Sequence, residues 1–202
     1  MLNRKSAEDR KTEIIEALLG LADRIGPDRL TTNDIAREVG VTQAAIFRHF
    51  PTKAELWSGA GELIAGRLEI AWAAALATPS KPEKRLRALI AVQLNQIENC
   101  PALPSILHSR ELNVDNADLR ERFRSLLMRY QGHLVANLEG MIADGSMAPN
   151  IRPADAAVLL TSLVQGLAIR WSLGSRGFAL KDEGLRLLDV QLALFACQEG
   201  TS

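Results

Sequence analysis

Apolar residues recur every three or four positions along most of the chain, which is the spacing of one face of an α-helix. Residues 7–25 show this pattern first, with Ile14, Leu18 and Ala22 on one face. Gly26-Pro27 ends the run, because proline cannot continue a helix. No stretch of five or more residues alternates in a convincing strand pattern. The chain is therefore predicted to be all-α.

Glycine, proline and capping residues divide the remaining sequence into further helices. Two short helices are predicted, one from Thr32 to Val39 and one from after Thr42 to about Phe50. A long helix begins at Lys53 and ends near residue 77, before a linker at residues 78–82. Beyond the linker we predict helices at about 83–98, 103–112, 116–144, 153–174 and 181–197, about nine helices in all.

Residues 32–50, TNDIAREVGVTQAAIFRHF, contain what two short helices need in order to pack at a steep angle. Ile35, Val39 and Ile46 supply an apolar wedge, and Gly40 can take the left-handed turn conformation. The pattern predicts a helix-turn-helix. The alternative is a helical hairpin in an ordinary bundle, whose outward face would hold more glutamate and lysine.

The outward face of the second short helix carries residue types that suit the major groove of DNA. Gln43 can pair with adenine and Arg48 with guanine or phosphate, while Ala44 or Phe47 can meet a thymine methyl group. Thr32 and Lys53 lie at predicted helix N-termini, where phosphate binds well. The complete predicted DNA-binding set is Thr32, Thr42, Gln43, Ala44, Phe47, Arg48, His49 and Lys53.

The overall charge does not indicate nucleic acid, because 24 Lys and Arg balance 24 Asp and Glu. The basic residues near the helix-turn-helix are local: residues 37–53 carry Arg37, Arg48 and Lys53 against Glu38 alone. The N-terminal arm adds Arg4, Lys5, Arg10 and Lys11. DNA binding is therefore inferred from the arrangement of residues.

Residues 30–56, LTTNDIAREVGVTQAAIFRHFPTKAEL, resemble the DNA-binding region of TetR-family repressors. The shared features are a threonine before the first short helix, Ala-x-x-x-Gly-Val, and aromatic-x-His-Phe followed by Lys-x-x-Leu. The resemblance implies a three-helix DNA-binding domain at residues 1–52 and a helical ligand-binding and dimerisation domain at residues 53–202. It also implies the DNA contacts named above, apart from Arg48. Phe47 departs from the tyrosine of many members and lacks a hydroxyl for phosphate.

The resemblance also implies that the last two long helices form a dimer face. Apolar stripes on both helices fit this role. Two helices from each subunit would make a four-helix, isologous interface whose symmetry matches a palindromic operator. The predicted interface residues are Leu159, Leu163, Gly166, Leu167, Arg170, Leu188, Leu192 and Phe195.

The resemblance further implies a ligand pocket among the middle helices. Candidate residues are polar side chains, and the large apolar side chains beside them, on otherwise apolar helices. The short Pro-bounded helix adds two more candidates, because family members often have a pocket gate at this place. Each polar group taken alone is more often an ordinary core or surface residue. The candidate pocket residues are Trp72, Gln93, Gln96, Ile106, Leu107, Met128, His133, Gln165 and Trp171.

Several other classes of protein are disfavoured. The sequence has no Glu-x-x-His pairs, no His-Glu-x-x-His, no Gly-rich phosphate loop and no Gly-x-Ser-x-Gly, so we expect no catalysis, cofactor or metal. The apolar runs at residues 70–77 and 156–169 are expected to be too short or too interrupted to span a membrane. Residues 1–12 do not resemble a secretory signal, and Cys100 and Cys197 are expected to be reduced, so a cytoplasmic location is predicted.

The sequence thus predicts a sequence-specific DNA-binding transcriptional regulator. In this hypothesis a homodimeric repressor is released from a palindromic operator by a small hydrophobic or amphipathic ligand. The main alternative is an architectural or adaptor DNA-binding protein that senses no ligand. An all-α enzyme is a third and weaker alternative.

Overall fold

The computed structural model describes residues 6–196, and every regular element in this part of the chain is an α-helix. There are ten such helices, one more than predicted. In chain order they are α1 (Ala7–Ile25), α2 (Thr32–Val39), α3 (Gln43–His49), α4 (Lys53–Ala77), α5 (Pro82–Asn99), α6 (Leu103–His108), α7 (Arg110–Asp115), α8 (Ala117–Ala143), α9 (Pro153–Leu173) and α10 (Leu180–Phe195).

The additional helix arises at Ser109, which divides the single helix predicted at residues 103–112 into α6 and α7. The Ser109 N–H donates to the carbonyl of Ser105 at 2.9 Å and closes α6. Its hydroxyl oxygen accepts the N–H of Leu112 at 2.9 Å and so caps α7. The same hydroxyl donates to the carboxylate of Asp28. The prediction of one helix was wrong because this last partner lies far away in the sequence.

The described chain forms two compact units. The first comprises residues 6–66 and Cys100–Arg124, and the second comprises Arg67–Asn99 and residues 125–196. Helix α4 begins in the first unit and ends in the second, so the division does not coincide with the predicted boundary after residue 52.

In the first unit, α1 packs against α2, α3 and α6. The side chains of Ile14, Ile35 and Ile46 form the core at the meeting point of the first three helices, where each is at most 1% exposed. In the second unit, α10 packs against α5 and α9, and its Leu188 is fully buried.

Helix α9 corrects the expectation that no apolar run is long enough for a membrane. It has 21 residues, and its length and composition would allow it to cross a bilayer. A face of α9 that includes Leu160, Val164 and Leu167 is instead buried, and α9 packs against α5 and α10. Core helices of helical domains share these properties, so the length of α9 does not by itself indicate a membrane.

Candidate nucleic-acid interface

Helix α2 begins with a reciprocal pair of hydrogen bonds between Thr31 and Asp34. The Thr31 hydroxyl oxygen accepts the Asp34 N–H at 3.3 Å, and the Asp34 carboxylate accepts the Thr31 N–H at 3.1 Å. The Thr31 hydroxyl also donates to this carboxylate, and these bonds lower the pKa of Asp34, with a smaller contribution from the charge of Arg37. Thr31 is therefore the N-cap, which leaves the side chain of the next residue, Thr32, available for another role.

The turn between α2 and α3 has the conformation that the sequence predicts. Gly40 ends α2 with φ 72° and ψ 36°, a left-handed conformation that glycine adopts without steric strain. Thr42 then caps α3, because its hydroxyl oxygen accepts the N–H of Ala45 at 3.2 Å. Together with the buried Ile35 and Ile46, this confirms the predicted helix-turn-helix fold.

All eight predicted DNA-binding residues lie at least partly on the surface of the first unit. Phe47 is 37% exposed and is therefore a surface residue, not a core residue. Thr32 and His49 are half-buried. The remaining exposed members of the set are Thr42, Gln43, Ala44, Arg48 and Lys53.

The first residues of α2 and α3 are joined by a side-chain hydrogen bond. Nε2 of Gln43 donates to the hydroxyl oxygen of Thr32 at 2.6 Å. Sequence reasoning placed both residues in the DNA-binding set but treated them as separate contacts. A side-chain contact between residues eleven positions apart has no local sequence signal, so the pairing requires the tertiary structure.

Several predicted basic residues are neutralised by neighbouring carboxylates. Arg10 pairs with Glu13 at 2.8 Å and Lys11 with Glu8 at 3.2 Å. Arg37 lies 3.7 Å from the Asp34 carboxylate. Arg4 and Lys5 lie outside the described residues.

Arg48 and Lys53 contrast with those pairs, since neither forms an ion pair within residues 6–196. Glu38 is the only acidic residue among residues 37–53, and it pairs with Arg24 at 2.8 Å. The positive charge next to α3 therefore comes mainly from Arg48 and Lys53.

Three of the predicted pocket residues come together in the second unit. Trp72 Nε1 donates to Oε1 of Gln93 at 2.9 Å, and the rings of Trp72 and His133 are 6.1 Å apart. Tyr130, which sequence reasoning missed, lies 5.3 Å from Trp72 between ring centroids. We call Trp72, Gln93, Tyr130 and His133 the aromatic cluster.

Tyr130 is unusual in this cluster because its buried hydroxyl has no hydrogen-bond partner among the described residues. The residue is only 4% exposed, and burial raises the pKa of its hydroxyl well above the ordinary tyrosine value. A buried polar group without a partner costs free energy, and such groups call for an explanation. The hydroxyl therefore has hydrogen-bonding capacity that no described residue uses.

The structure does not bring the other predicted pocket residues into this cluster. Ile106 and Leu107 belong to the first unit, while Met128 and Gln165 are exposed. Trp171 donates instead to the carbonyl oxygen of Phe178 at 3.0 Å. Gln96 is half-buried and makes no described contact with the cluster. The structure shows Trp72 in contact with both Gln93 and His133, and the assignment of the other six residues to a pocket stays a prediction, because helical periodicity does not show which faces meet.

The first unit contains a cleft of about 250 Å³ that the sequence did not predict. It lies where the turn after α1, the start of α4 and the helix α7 meet. Three carboxylate side chains and one lysine line it. The lining residues are Pro27, Asp28, Lys53, Ala54, Trp57, Glu111, Leu112, Asp115 and Asn116.

Half of the predicted dimer-interface residues are buried within the chain itself. Leu167, Leu188, Leu192 and Phe195 are at most 7% exposed, because these faces of α9 and α10 belong to the core of the second unit. Their assignment to a dimer surface is corrected accordingly. Leu163 is half-buried, and Leu159, Gly166 and Arg170 are exposed.

Five large apolar side chains are exposed on the same two helices, and one of them, Leu159, belongs to the predicted interface set. On α9 these are Val158, Leu159 and Leu173, and on α10 they are Val190 and Leu194. Each is at least 50% exposed. We call these five residues the apolar stripe.

Two family models match the chain. The one described as bacterial regulatory proteins of the TetR family matches residues 14–58, and the one described as the C-terminal region of MAATS-type transcriptional repressors matches residues 81–197. The first covers the helix-turn-helix and the second covers most of the remaining helices.

Proteins of known name are similar to most of the chain. The nucleoid occlusion factor SlmA of Vibrio campbellii is 33% identical over 143 residues, which cover 70% of this chain and 73% of that protein. The SlmA of a Marinomonas species is 28% identical over 170 residues, covering 82% and 83%.

Solved structures share the fold at lower identity. The ketosteroid regulator KstR2 of Mycobacterium tuberculosis superposes with a TM-score of 0.79 at 17% identity, covering 97% of this chain and 98% of its own. A transcriptional regulator of Saccharomonospora viridis, solved in complex with choline, gives 0.81 at 22% identity, covering 92% and 96%. With the helix-turn-helix and both matches to family models in place, the chain belongs to the TetR family and is a DNA-binding transcriptional regulator.

Proposed function

We propose that the protein is a homodimeric repressor that binds a palindromic operator and is released from it by a small hydrophobic or amphipathic ligand. The observation that carries the DNA-binding part is the exposed face of α3. There Gln43, Ala44 and Phe47 are solvent-accessible beside Arg48 and Lys53, whose positive charges have no ion-pair partner in the described part of the chain. Small and amide side chains suit base edges, and cations suit phosphates.

Dimerisation is proposed through the apolar stripe on α9 and α10. Exposed apolar side chains that share a surface commonly mark a protein interface. A two-fold axis through this surface makes an isologous contact and gives the dimer two copies of α3. In a palindromic operator the two copies would enter major grooves one helical turn apart, roughly 34–36 Å, or a multiple of that.

The aromatic cluster is the proposed contact region for the effector. Two aromatic rings and the unpartnered hydroxyl of Tyr130 suit a largely apolar molecule that carries a polar group. If the effector binds more tightly to a conformation of the dimer that fits the operator poorly, it shifts the protein toward that conformation. A coupling free energy of about 1–3 kcal/mol between effector binding and operator binding would weaken operator binding about 5–150-fold.

The proposal includes no catalytic activity and no cofactor, and it places the protein in the cytoplasm with the chromosome. The matched relatives are named as nucleoid occlusion factors and transcriptional regulators, which fits a place beside the chromosome.

The experiment that tests the proposal is selection of bound sequences from a random duplex DNA pool. Wild type is compared with a Gln43→Ala, Lys53→Ala double variant and with Lys84→Ala, which removes an exposed lysine of α5. We expect wild type and the Lys84 variant to enrich the same palindrome and the double variant to lose it. Enrichment of no sequence by a folded wild-type dimer at low and moderate salt would refute operator binding.

A second candidate is an architectural or adaptor role without a small effector. The matched relatives named nucleoid occlusion factors favour it. Mapping the bound sites on the chromosome separates the two. A repressor is expected at a few promoters, whereas an architectural or adaptor protein is expected at many dispersed sites.

A further inference from the structure

The Gln43–Thr32 hydrogen bond leaves specific hydrogen-bonding capacity unused on both side chains. Nε2 of Gln43 donates one hydrogen to the Thr32 hydroxyl oxygen, and within residues 6–196 its second hydrogen and the carbonyl Oε1 have no hydrogen-bond partner. The Thr32 hydroxyl accepts this bond and keeps its own hydrogen for another acceptor. Both side chains lie on the surface that we propose for DNA.

From this arrangement we infer that Thr32 is the positioning residue that makes Gln43 selective for adenine in the operator. The inference rests on the proposed operator binding, in which the sequence already pairs Gln43 with adenine, and adds the residue that enforces this choice of base. The phosphate backbone supplies the acceptor for the hydrogen of the Thr32 hydroxyl. The Thr32 hydroxyl thereby donates to a phosphate and accepts from Gln43, which pairs with the base.

The contact with phosphate determines whether Nε2 or Oε1 of the Gln43 amide points to the Thr32 hydroxyl. A free threonine hydroxyl can either donate or accept, so it would tolerate the glutamine amide in either of its two orientations. Once the hydroxyl donates to phosphate, it can only accept from Gln43. Nε2 must then face Thr32, as it does in the structure.

The remaining groups of Gln43 match adenine in the major groove. Adenine offers an acceptor at N7 and a donor at N6, which pair with the second N–H and with Oε1 of one amide. Guanine offers two acceptors, and cytosine offers a donor without the adjacent acceptor. Neither matches an amide held in one orientation. Each group in the chain from phosphate to Thr32, Gln43 and adenine then has a partner of the right kind.

The role of Thr32 can be separated from helix stability. The N-cap of α2 is Thr31, so Thr32→Val removes the hydroxyl without removing the cap and keeps the branched shape. Thr32→Ser keeps the hydroxyl. The melting temperatures of both variants are measured beside wild type, and we expect both to fold.

The experiment measures the dissociation constants of the full-length dimer for its selected operator and for operators changed at single base pairs. We expect one A·T pair in each half-site at which wild type prefers adenine by about 5–150-fold, as for a bidentate base contact. Thr32→Val is expected to reduce this preference to less than about 3-fold, whereas Thr32→Ser retains most of it. Adding Thr32→Val to Gln43→Ala should change the preference no further.

Two results would overturn the inference. The first is a Thr32→Val variant that binds all sequences more weakly by one common factor, because Thr32 would then contact only phosphate or serve only the fold. The second is an adenine preference that survives Gln43→Ala. If wild type selects no sequence at all, the proposed operator binding itself fails, which is a distinguishable outcome.

Discussion

Oε1 of Glu98 accepts the backbone N–H of Leu180 at 2.7 Å, so a carboxylate of α5 caps the first turn of α10. The N–H of Lys181 lies 3.4 Å from the same oxygen. The N-cap position of α10 is Ala179, which has no side-chain acceptor. A carboxylate at a helix N-terminus also interacts favourably with the helix dipole. Glu98 therefore supplies from another helix the cap that the local sequence lacks.

Removing this cap should destabilise the second unit. We expect Glu98→Ala to lower the free energy of unfolding by about 0.5–2 kcal/mol, the range for loss of an N-cap. Glu98→Gln keeps an acceptor and should lose less. Denaturant unfolding measures both, with Glu139→Ala on the exposed side of α8 as a control that stays within about 0.5 kcal/mol of wild type. Equal stability of Glu98→Ala and the control would contradict the capping role.

Gly184 lets α10 approach α5 closely. A methyl group at this position would overlap Cδ1 of Leu94 and contact its other side-chain carbons at 3.3 and 3.4 Å. Gly184→Ala is therefore expected to cost about 1–3 kcal/mol of stability, as overpacked cores do. Gly132→Ala in α8 is the matched control, because no described atom beyond its chain neighbours and the nearby backbone of α8 lies within 4 Å of the added methyl group. The control should be stabilised by up to about 1 kcal/mol, and similar melting temperatures for the two variants would disprove the close approach.

The hydroxyl of Tyr130 should contribute nothing to stability in the absence of a ligand. Because it has no described partner, Tyr130→Phe should leave the free energy of unfolding unchanged or raise it by up to about 1 kcal/mol. Trp72→Phe is the comparison, since it removes the donor to Gln93 and part of a buried ring, and it should destabilise by at least about 1 kcal/mol. Chemical denaturation of both variants tests this. A clear loss of stability in Tyr130→Phe would show that the hydroxyl has a partner.

The Asp34 carboxylate makes the stability of the α2 N-terminus depend on pH. Its hydrogen bonds with Thr31 lower its pKa below the ordinary 3.8, so the carboxylate favours the folded state above that value. This contribution is lost as the pH falls through the lowered pKa. NMR titration should find the depressed value in wild type and in Thr31→Ser, and a return toward 3.8 in Thr31→Val. An unchanged pKa in Thr31→Val would show that the capping bonds are not the cause.

The apolar stripe should control dimerisation. A Leu159→Arg, Leu194→Arg double variant places two charges on the exposed faces of α9 and α10 and is expected to yield folded monomers. Analytical ultracentrifugation measures the change. Val114→Arg, at a similarly exposed position on α7, should remain dimeric. A double variant that remains dimeric at micromolar concentration would place the interface elsewhere.

Local signals account for the part of the fold that the sequence predicted well. The caps at Thr31 and Thr42 and the left-handed turn at Gly40 each depend on neighbours within about four residues. Nine predicted segments correspond to the observed helices within a few residues, with one of them divided at Ser109. The exposed face of α3 was also predictable, because Ile46 defines the opposite, buried face.

Partners far apart in sequence account for what the prediction missed. Ser109 breaks its segment while bonded to Asp28, and Glu98 caps a helix that begins 82 residues later. Helical periodicity identified apolar faces on α9 and α10, but it could not show that Leu188 faces the chain's own core while Leu194 faces solvent. By itself the sequence therefore determined the helices, the helix-turn-helix and the family. Only the tertiary structure decided which polar groups meet and which apolar faces stay exposed, because those outcomes depend on packing between distant segments.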